Sequence, residues 1–262
     1  MRILVISLSK ISKAFLKIQQ GVQIDVYSPN SIIEGMNCVN DFAKLDETYT
    51  HIFLGCKPQH IEDVAQNLPL NLYDTQTVFI SVLAGTKVEK IKKLFQTKKV
   101  FRVMPSLAFE FGNSFLAYHA TDIGNEEAQS IKNLFGNNFL LKCENEEKID
   151  YFTGIYGSGI GFVFEIMNAF FMKSQELFPN EDEGENNREI ILNLFHNACK
   201  YMENNPNLSF SNASQNVASK GGTTEAGLNF LRNHNLLQSV IFGSVDEAIT
   251  KAREISLECK KK

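Results

Sequence analysis

The stretch RILVISLSKISKAFLKIQQGVQIDVYSPN, residues 2–30, decides the fold. Ile3, Leu4, Val5 and Ile6 form an unbroken β-rich run, the pattern of a strand covered on both faces. Ile11, Ala14, Phe15 and Ile18 then repeat at i, i+3, i+4 and i+7, one face of a helix. Gly21 stops that helix, and Val22–Tyr27 reads as a second strand ending at Ser28-Pro29-Asn30. Strand, tight turn, helix and second strand in so short a span make the first unit of a doubly wound α/β sheet.

Outward from that unit the same texture continues. His51–Cys56 and Thr77–Leu83 are apolar runs closed by Lys57-Pro58 and Ala84-Gly85. Val88–Phe95 is helical, and Val100–Met104 is a strand halted by Pro105. A strand at Ser114–His119, a helix near Glu126–Phe135 and a strand at Phe139–Cys143 complete this part. Such alternation predicts parallel pairing with helices on both faces. Beyond about Asp150 the pattern becomes purely helical: Gly159–Leu177, an acidic Asn-rich connector at Pro179–Asn187, Arg188–Glu203, a short helix near Ser211–Ala218, Glu225–Asn233 and Val245–Cys259. The expected fold class is therefore α/β. A Rossmann-type doubly wound sheet over residues 1–150 is followed by an all-α domain over residues 151–262. Phe162, Phe164, Ile166, Met167, Phe170 and Phe171 crowd one helix and want partners, which predicts a homodimer joined through this half. Lys260-Lys261-Lys262 reads as a solvated end.

Composition narrows the function classes. A length of 262 residues fits one large domain or a medium one with a smaller appendage. With 44% hydrophobic and 21% charged residues the chain is globular rather than disordered. Twenty-six Lys and Arg against 30 Asp and Glu leave a net charge of −4 with no basic block, which argues against a nucleic-acid partner. Five scattered cysteines without a CxxC pair suit neither a disulfide framework nor a zinc site, and they suit a reducing cytosol. No metal is expected. Gly154 to Met172, the most apolar long stretch, is interrupted by Glu165 and Asn168 and reads as a helix buried in protein rather than a membrane span. The expected location is the cytoplasm.

The chemistry-bearing positions cluster at strand ends and helix starts. A first βαβ unit sets a pyrophosphate against its helix N-terminus through a G-x-G-x-x-G turn. Here that window is Ser7-Leu8-Ser9-Lys10-Ile11-Ser12, with serine at all three glycine positions. At the end of the second strand, where an NAD site presents Asp or Glu to the ribose, stand the neutral Ser28, Asn30 and Ser31, which favour NADP. Lys57-Pro58-Gln59, Ala84-Gly85-Thr86 and Arg102-Val103-Met104-Pro105 all end strands, where open α/β sheets bind ligands. Gly157-Ser158-Gly159 precedes the long apolar helix, and Ser219-Lys220-Gly221-Gly222-Thr223-Thr224 opens another. Two glycines and two threonines at a helix start offer amides to a carboxylate and a hydroxyl to a ring nitrogen, or a plain N-cap.

Taken together and in order, these segments resemble the pyrroline-5-carboxylate reductase family, and Val217 through Thr224 leading into Ala226-Gly227-Leu228 is the most distinctive of them. The resemblance implies NAD(P)H-dependent reduction of 1-pyrroline-5-carboxylate to L-proline. It also implies a Rossmann domain followed by a helical dimerisation domain, often assembled into larger rings. It sets Ser7, Leu8, Ser9, Lys10 and Ile11 along the pyrophosphate and Ser28 and Asn30 near the ribose. Lys57, Pro58, Ala84 and Gly85 fall on the nicotinamide side. Gly222, Thr223 and Thr224 would grip the substrate carboxylate, with Ser219, Met104 and Pro105 around the ring. The Thr224 hydroxyl would approach the ring nitrogen as the catalytic group. NADPH is the expected cofactor, with NADH as the alternative. Departures from the family pattern at Ser106-Leu107-Ala108, Ile160-Gly161-Phe162 and Lys220 keep two other readings open. One is an impaired member with a regulatory or scaffold role, and the other a reductase of a different cyclic imine.

Overall fold

The computed structural model describes residues 1–178, 181–233 and 235–258. They fall into two compact units, Met1–Ile160 with the chain from Val245 onward, and Gly161–Ser244. This differs from the division at residue 150, because the C-terminal helix rejoins the first unit.

The first unit is built on eight strands. They are β1 (Arg2–Ile6), β2 (Gln23–Tyr27), β3 (Asn37–Val39), β4 (His51–Leu54), β5 (Val78–Ser81), β6 (Val100–Met104), β7 (Phe115–Thr121) and β8 (Phe139–Lys142). Their order is β3-β2-β1-β4-β5-β6-β7-β8. Chain direction reverses its spread between β1 and β4, so the crevice outside their carboxyl ends is the switch point where such sheets bind ligands. The pairing departs from the expected all-parallel sheet at one ladder: β7 runs antiparallel to β6, with Arg102 opposite His119. Strand direction leaves no mark in the apolar run itself. β8, a parallel neighbour of β7, is a mostly exposed edge rather than a buried strand.

Helices cover both faces, and the strands alternate accordingly. Leu4, Ile6, Leu54 and Phe79 point to the face covered by α2 (Ile61–Asn67) and α3 (Val88–Phe95). Ile3, Val5, Phe53 and Ile80 point to the face of α1 (Lys10–Lys17) and α4 (Asn125–Asn133). On that second face Phe15 stacks on Phe53 at 4.2 Å between ring centroids. At the sheet's far side Arg102 is fully buried and holds the chain after β8: its guanidinium donates to Glu146 at 2.8 Å and Asp150 at 2.9 Å. Glu146 also accepts from the Val88 amide that opens α3, so one carboxylate ties strand, helix and loop. Asp25 is a second buried anchor. Burial opposes its charge, but hydrogen bonds from Asn37, Tyr49 and Arg2 outweigh that and hold its carboxyl below the ordinary value.

The short α5 (Lys148–Phe152) runs into a wide π-type turn at Thr153–Gly157, closed by the Ser158 amide on the Thr153 carbonyl. Gly154 lets α10 (Leu236–Glu258) approach closely: a Cβ there would stand 2.6 Å from Ile249.

The second unit is helical: α6 (Gly159–Leu177), most of α7 (Glu181–Glu203), α8 (Phe210–Val217), α9 (Thr223–Asn233) and the first turns of α10. The acidic segment expected as a connector is helical from Glu181, and α10 begins nine residues before Val245. Pro179, Asn180, Cys259 and the terminal lysines lie outside the described residues. No residue of α6, α8 or α9 is buried. Within one copy of the chain, therefore, the apolar helix read as buried in protein is not covered. The apolar window within Lys148–Leu177 has a mean hydropathy of 1.3 and none of it is covered, although by length and composition it could cross a membrane. Phe164 and Phe170 stand half exposed or more, and Phe210 is 81% exposed.

Candidate active site

The phosphate window lies where the resemblance sets it, between β1 and α1. Ser7 adopts φ +75°, the left-handed conformation that glycine takes without cost and a side chain takes under strain. Serine therefore makes the glycine-like turn itself, secured by its amide on the Tyr27 carbonyl at 2.8 Å. Ser9 is the N-cap of α1, its hydroxyl accepting from the Ser12 amide. The Lys10 and Ile11 amides lie in the first helical turn, ahead of the intrahelical ladder, and are oriented for an anion. Leu8 and Ile11 give their side chains to the core.

Next to this turn is a cleft of about 390 Å³ lined by Ser7, Asn30 and Lys57 of the expected residues, together with Tyr27, Phe42, Cys56, His60 and Asp63, which sequence reading did not single out. Tyr27 and Phe42 are stacked at 3.6 Å, a flat aromatic wall. Cys56 is buried, and the loss of water pushes its thiol up to about 12, so it stays protonated and inert at neutral pH. Ser28 is nearly buried, its amide on the Val39 carbonyl. Pro58 opens a short 3₁₀ turn after Lys57.

Ala84 and Gly85 follow β5. Gly85 has φ +67°, and a Cβ on it would lie 2.2 Å from the Ala252 carbonyl of α10, so packing alone already demands glycine. Met104 and Pro105 are buried at the end of β6. Met104 belongs to a small cluster with Ala117, Cys143 and Ile149, and its sulfur would lie 3.9 Å from a Cβ on Gly157. Arg102, read as one cation among the strand ends, is committed to its two carboxylates.

The double-glycine turn belongs to the second unit. Gly221 has φ +74°, and its amide donates to the Glu225 carboxylate at 2.7 Å. The Gly222 amide donates to the Ser219 carbonyl at 2.9 Å and so is engaged within the turn. Thr223 and Thr224 open α9 and are both exposed, so the first-turn amides and hydroxyls available to an anion are theirs. Among the described residues no group of His, Cys, Asp and Glu could hold a metal ion, and Cys38, Cys56, Cys143 and Cys199 are free thiols.

The family model described as pyrroline-5-carboxylate reductase dimerisation matches residues 146–255. Pyrroline-5-carboxylate reductases of Staphylococcus haemolyticus and Staphylococcus saprophyticus are each 29% identical to the chain, over 229 and 227 residues, covering 85% of it and 80% of the relative. Among solved structures, the pyrroline carboxylate reductase of Plasmodium falciparum with NADP bound superposes with a TM-score of 0.85 at 17% identity, over 97% of this chain and 98% of that one. The enzyme of Streptococcus pyogenes gives 0.82 at 21% identity over the same shares. The last two show the fold, a mostly parallel Rossmann-type sheet followed by helices. With the matched C-terminal region and the two relatives at 29% identity, they make the chain similar to pyrroline-5-carboxylate reductases over most of its length.

Proposed function

We infer that the chain reduces the C=N bond of 1-pyrroline-5-carboxylate to give L-proline, with a nicotinamide dinucleotide as reductant, the last step of making that amino acid. The observation that carries this reading is the opening of α9, where Thr223 and Thr224 present first-turn amides and hydroxyls while Gly221 and Gly222 spend theirs within the turn. The helix dipole there favours an anion, and a ring carboxylate is the anion the family acts on.

The dinucleotide fits the first unit. Ser7, Leu8, Ser9, Lys10 and Ile11 would lie along its pyrophosphate and Ser28 and Asn30 near the ribose, with Pro58, Ala84 and Gly85 toward the nicotinamide; Lys57, expected on that side, lines the cleft with Asn30 and would serve the ribose end instead. The 390 Å³ cleft with its Tyr27–Phe42 wall suits the adenosine part. NADPH is the preferred form. Asn30 stands where a ribose-binding carboxylate would repel a 2′-phosphate, Lys57 lines the same cleft, and the Plasmodium relative was solved with NADP. When bound, NADPH supplies the hydride that the imine carbon receives. Thr223 and Thr224 orient the substrate by its carboxylate, with Ser219 and Gly222 of the same turn beside them. The Thr224 hydroxyl would hydrogen-bond the ring nitrogen and relay to it a proton from solvent water, taking one up as it gives its own. No further acid or base is called for.

The uncovered faces of α6, α8 and α9 suit a second copy of the chain, so the working enzyme is a homodimer or a larger ring of such pairs. Its place is the cytoplasm, where the dinucleotide is plentiful and thiols stay reduced.

The test is NADPH oxidation in the presence of 1-pyrroline-5-carboxylate, with proline quantified as product. Wild type should turn over, and Thr224→Ala should lose about 100-fold or more of kcat while remaining folded. A folded wild-type protein that consumes no NADPH would overturn the assignment.

A further inference from the structure

Ser12, the third position of the phosphate window, is a fully buried hydroxyl. Its Oγ lies 2.9 Å from the Ser9 Oγ, and its amide donates to the same Ser9 oxygen at 3.2 Å. Room for that hydroxyl comes from across the turn. A Cβ on Gly55, the residue that follows β4, would stand 1.9 Å from Ser12 Oγ, 3.2 Å from Ser12 Cβ and 3.3 Å from the Ile6 carbonyl. The Gly55 backbone cannot easily retreat, since its amide is bonded to that same Ile6 carbonyl at 3.0 Å. Its φ lies outside the left-handed region, so nothing in the backbone asks for glycine. Space is the reason. In a glycine-rich dinucleotide turn the helix gains its close approach to the sheet by omitting a Cβ on the helix. In this chain the omission has moved to the strand end, and the helix keeps a side chain.

We propose that Gly55 is a positioning residue for the cofactor turn. It seats Ser12, and Ser12 in turn fixes the Ser9 hydroxyl at the mouth of α1. The Ser12 amide donates into Ser9 Oγ. In this assignment Ser12 is the donor of the hydroxyl pair, which leaves the Ser9 O–H to donate outward, to a phosphate oxygen of the dinucleotide. The hydroxyl pair then serves the turn in place of the missing glycines. This rests on the dinucleotide reading above.

Steady-state kinetics of the full-length protein test it. Gly55→Ala should raise KM for NADPH about tenfold with kcat within about twofold, the signature of lost ground-state binding. Adding Ser12→Gly to Gly55→Ala removes the clash and should bring KM down to the severalfold increase expected of Ser12→Ala, a partial rescue that general loosening of the fold would not give. Should Gly55→Ala fail to fold, the double variant and Ser12→Ala carry the test. The double variant should fold, and Ser12→Ala, which deletes only the hydroxyl, should raise KM severalfold. An unchanged KM in Gly55→Ala, no recovery in the double variant, or an unchanged KM in Ser12→Ala would each overturn the proposal while leaving the reductase assignment standing. Failure of wild type to bind NADPH at all would overturn both.

Discussion

The two units of this chain solve burial in opposite ways. In the first, Leu4, Phe15, Phe53, Phe79 and Phe101 are wholly enclosed, and even Arg102 is buried with partners. In the second, α6 carries Phe164, Phe170 and Met172 at half exposure or more, and none of its residues is enclosed. The sequences are comparably apolar, so the difference is geometric. A sheet faced by helices on both sides can close its own core, whereas a few helices spread side by side leave a face that another surface must cover. The first unit therefore closes its own core, while α6, α8 and α9 of the second enclose none of their residues.

The largest expected effect is on assembly. Phe164→Asp combined with Phe170→Asp places two charges on the uncovered face of α6 and should convert the protein to monomer in sedimentation or light scattering. A mutant that keeps the wild-type mass would break the comparison. Next is the buried ion cluster. Arg102→Ala leaves Glu146 and Asp150 without their partner and should cost about 3–5 kcal/mol of first-unit stability in denaturant unfolding. A loss under about 1 kcal/mol would mean the cluster is not desolvated as described.

Acid should act on the first unit as well. His51 is buried, and the loss of water lowers its imidazole from 6.5 to about 4, with its Nε2 lacking a partner. The unfolded chain takes up a proton between those values that the folded chain refuses, so stability is lost as pH falls from about 6.5 to about 4. Full loss is roughly 3 kcal/mol for a shift of this size. His51→Gln should flatten that part of the pH–stability curve, and an unaltered slope would show that another group sets it. The smallest effect is at the cleft: Lys57→Ala should weaken NADPH severalfold, with a smaller change for NADH, as expected for one exposed cation facing a 2′-phosphate. Equal loss for both forms would remove Lys57 from the choice between them.

Much of the first unit could be read from residues. Val88–Phe95 and Val100–Met104 fall where apolar spacing and Pro105 put them. β3 escaped notice because Asn37-Cys38-Val39 is short and half polar, and α2 because its apolar residues are too few to declare a face. The acidic stretch from Glu181 looked like a connector, yet glutamate is a good helix former and the helix begins there. The start of α10 hid behind Gly243-Ser244, which are helical once the flanking turns hold them. At the site, Ser7 was visible as a damaged glycine but not as a serine able to hold φ +75°. The engagement of the Gly222 amide with Ser219, and the room that Gly55 makes for Ser12, depend on contacts that no local pattern records.

The measurement that bears most directly on the account is a calorimetric titration of the full-length protein with NADPH, since the serine-built turn is the part that departs furthest from an ordinary dinucleotide site. Saturable binding in the micromolar range, weakened by Ser9→Ala, is the predicted result. A folded protein that takes up no NADPH even at millimolar concentration would contradict it.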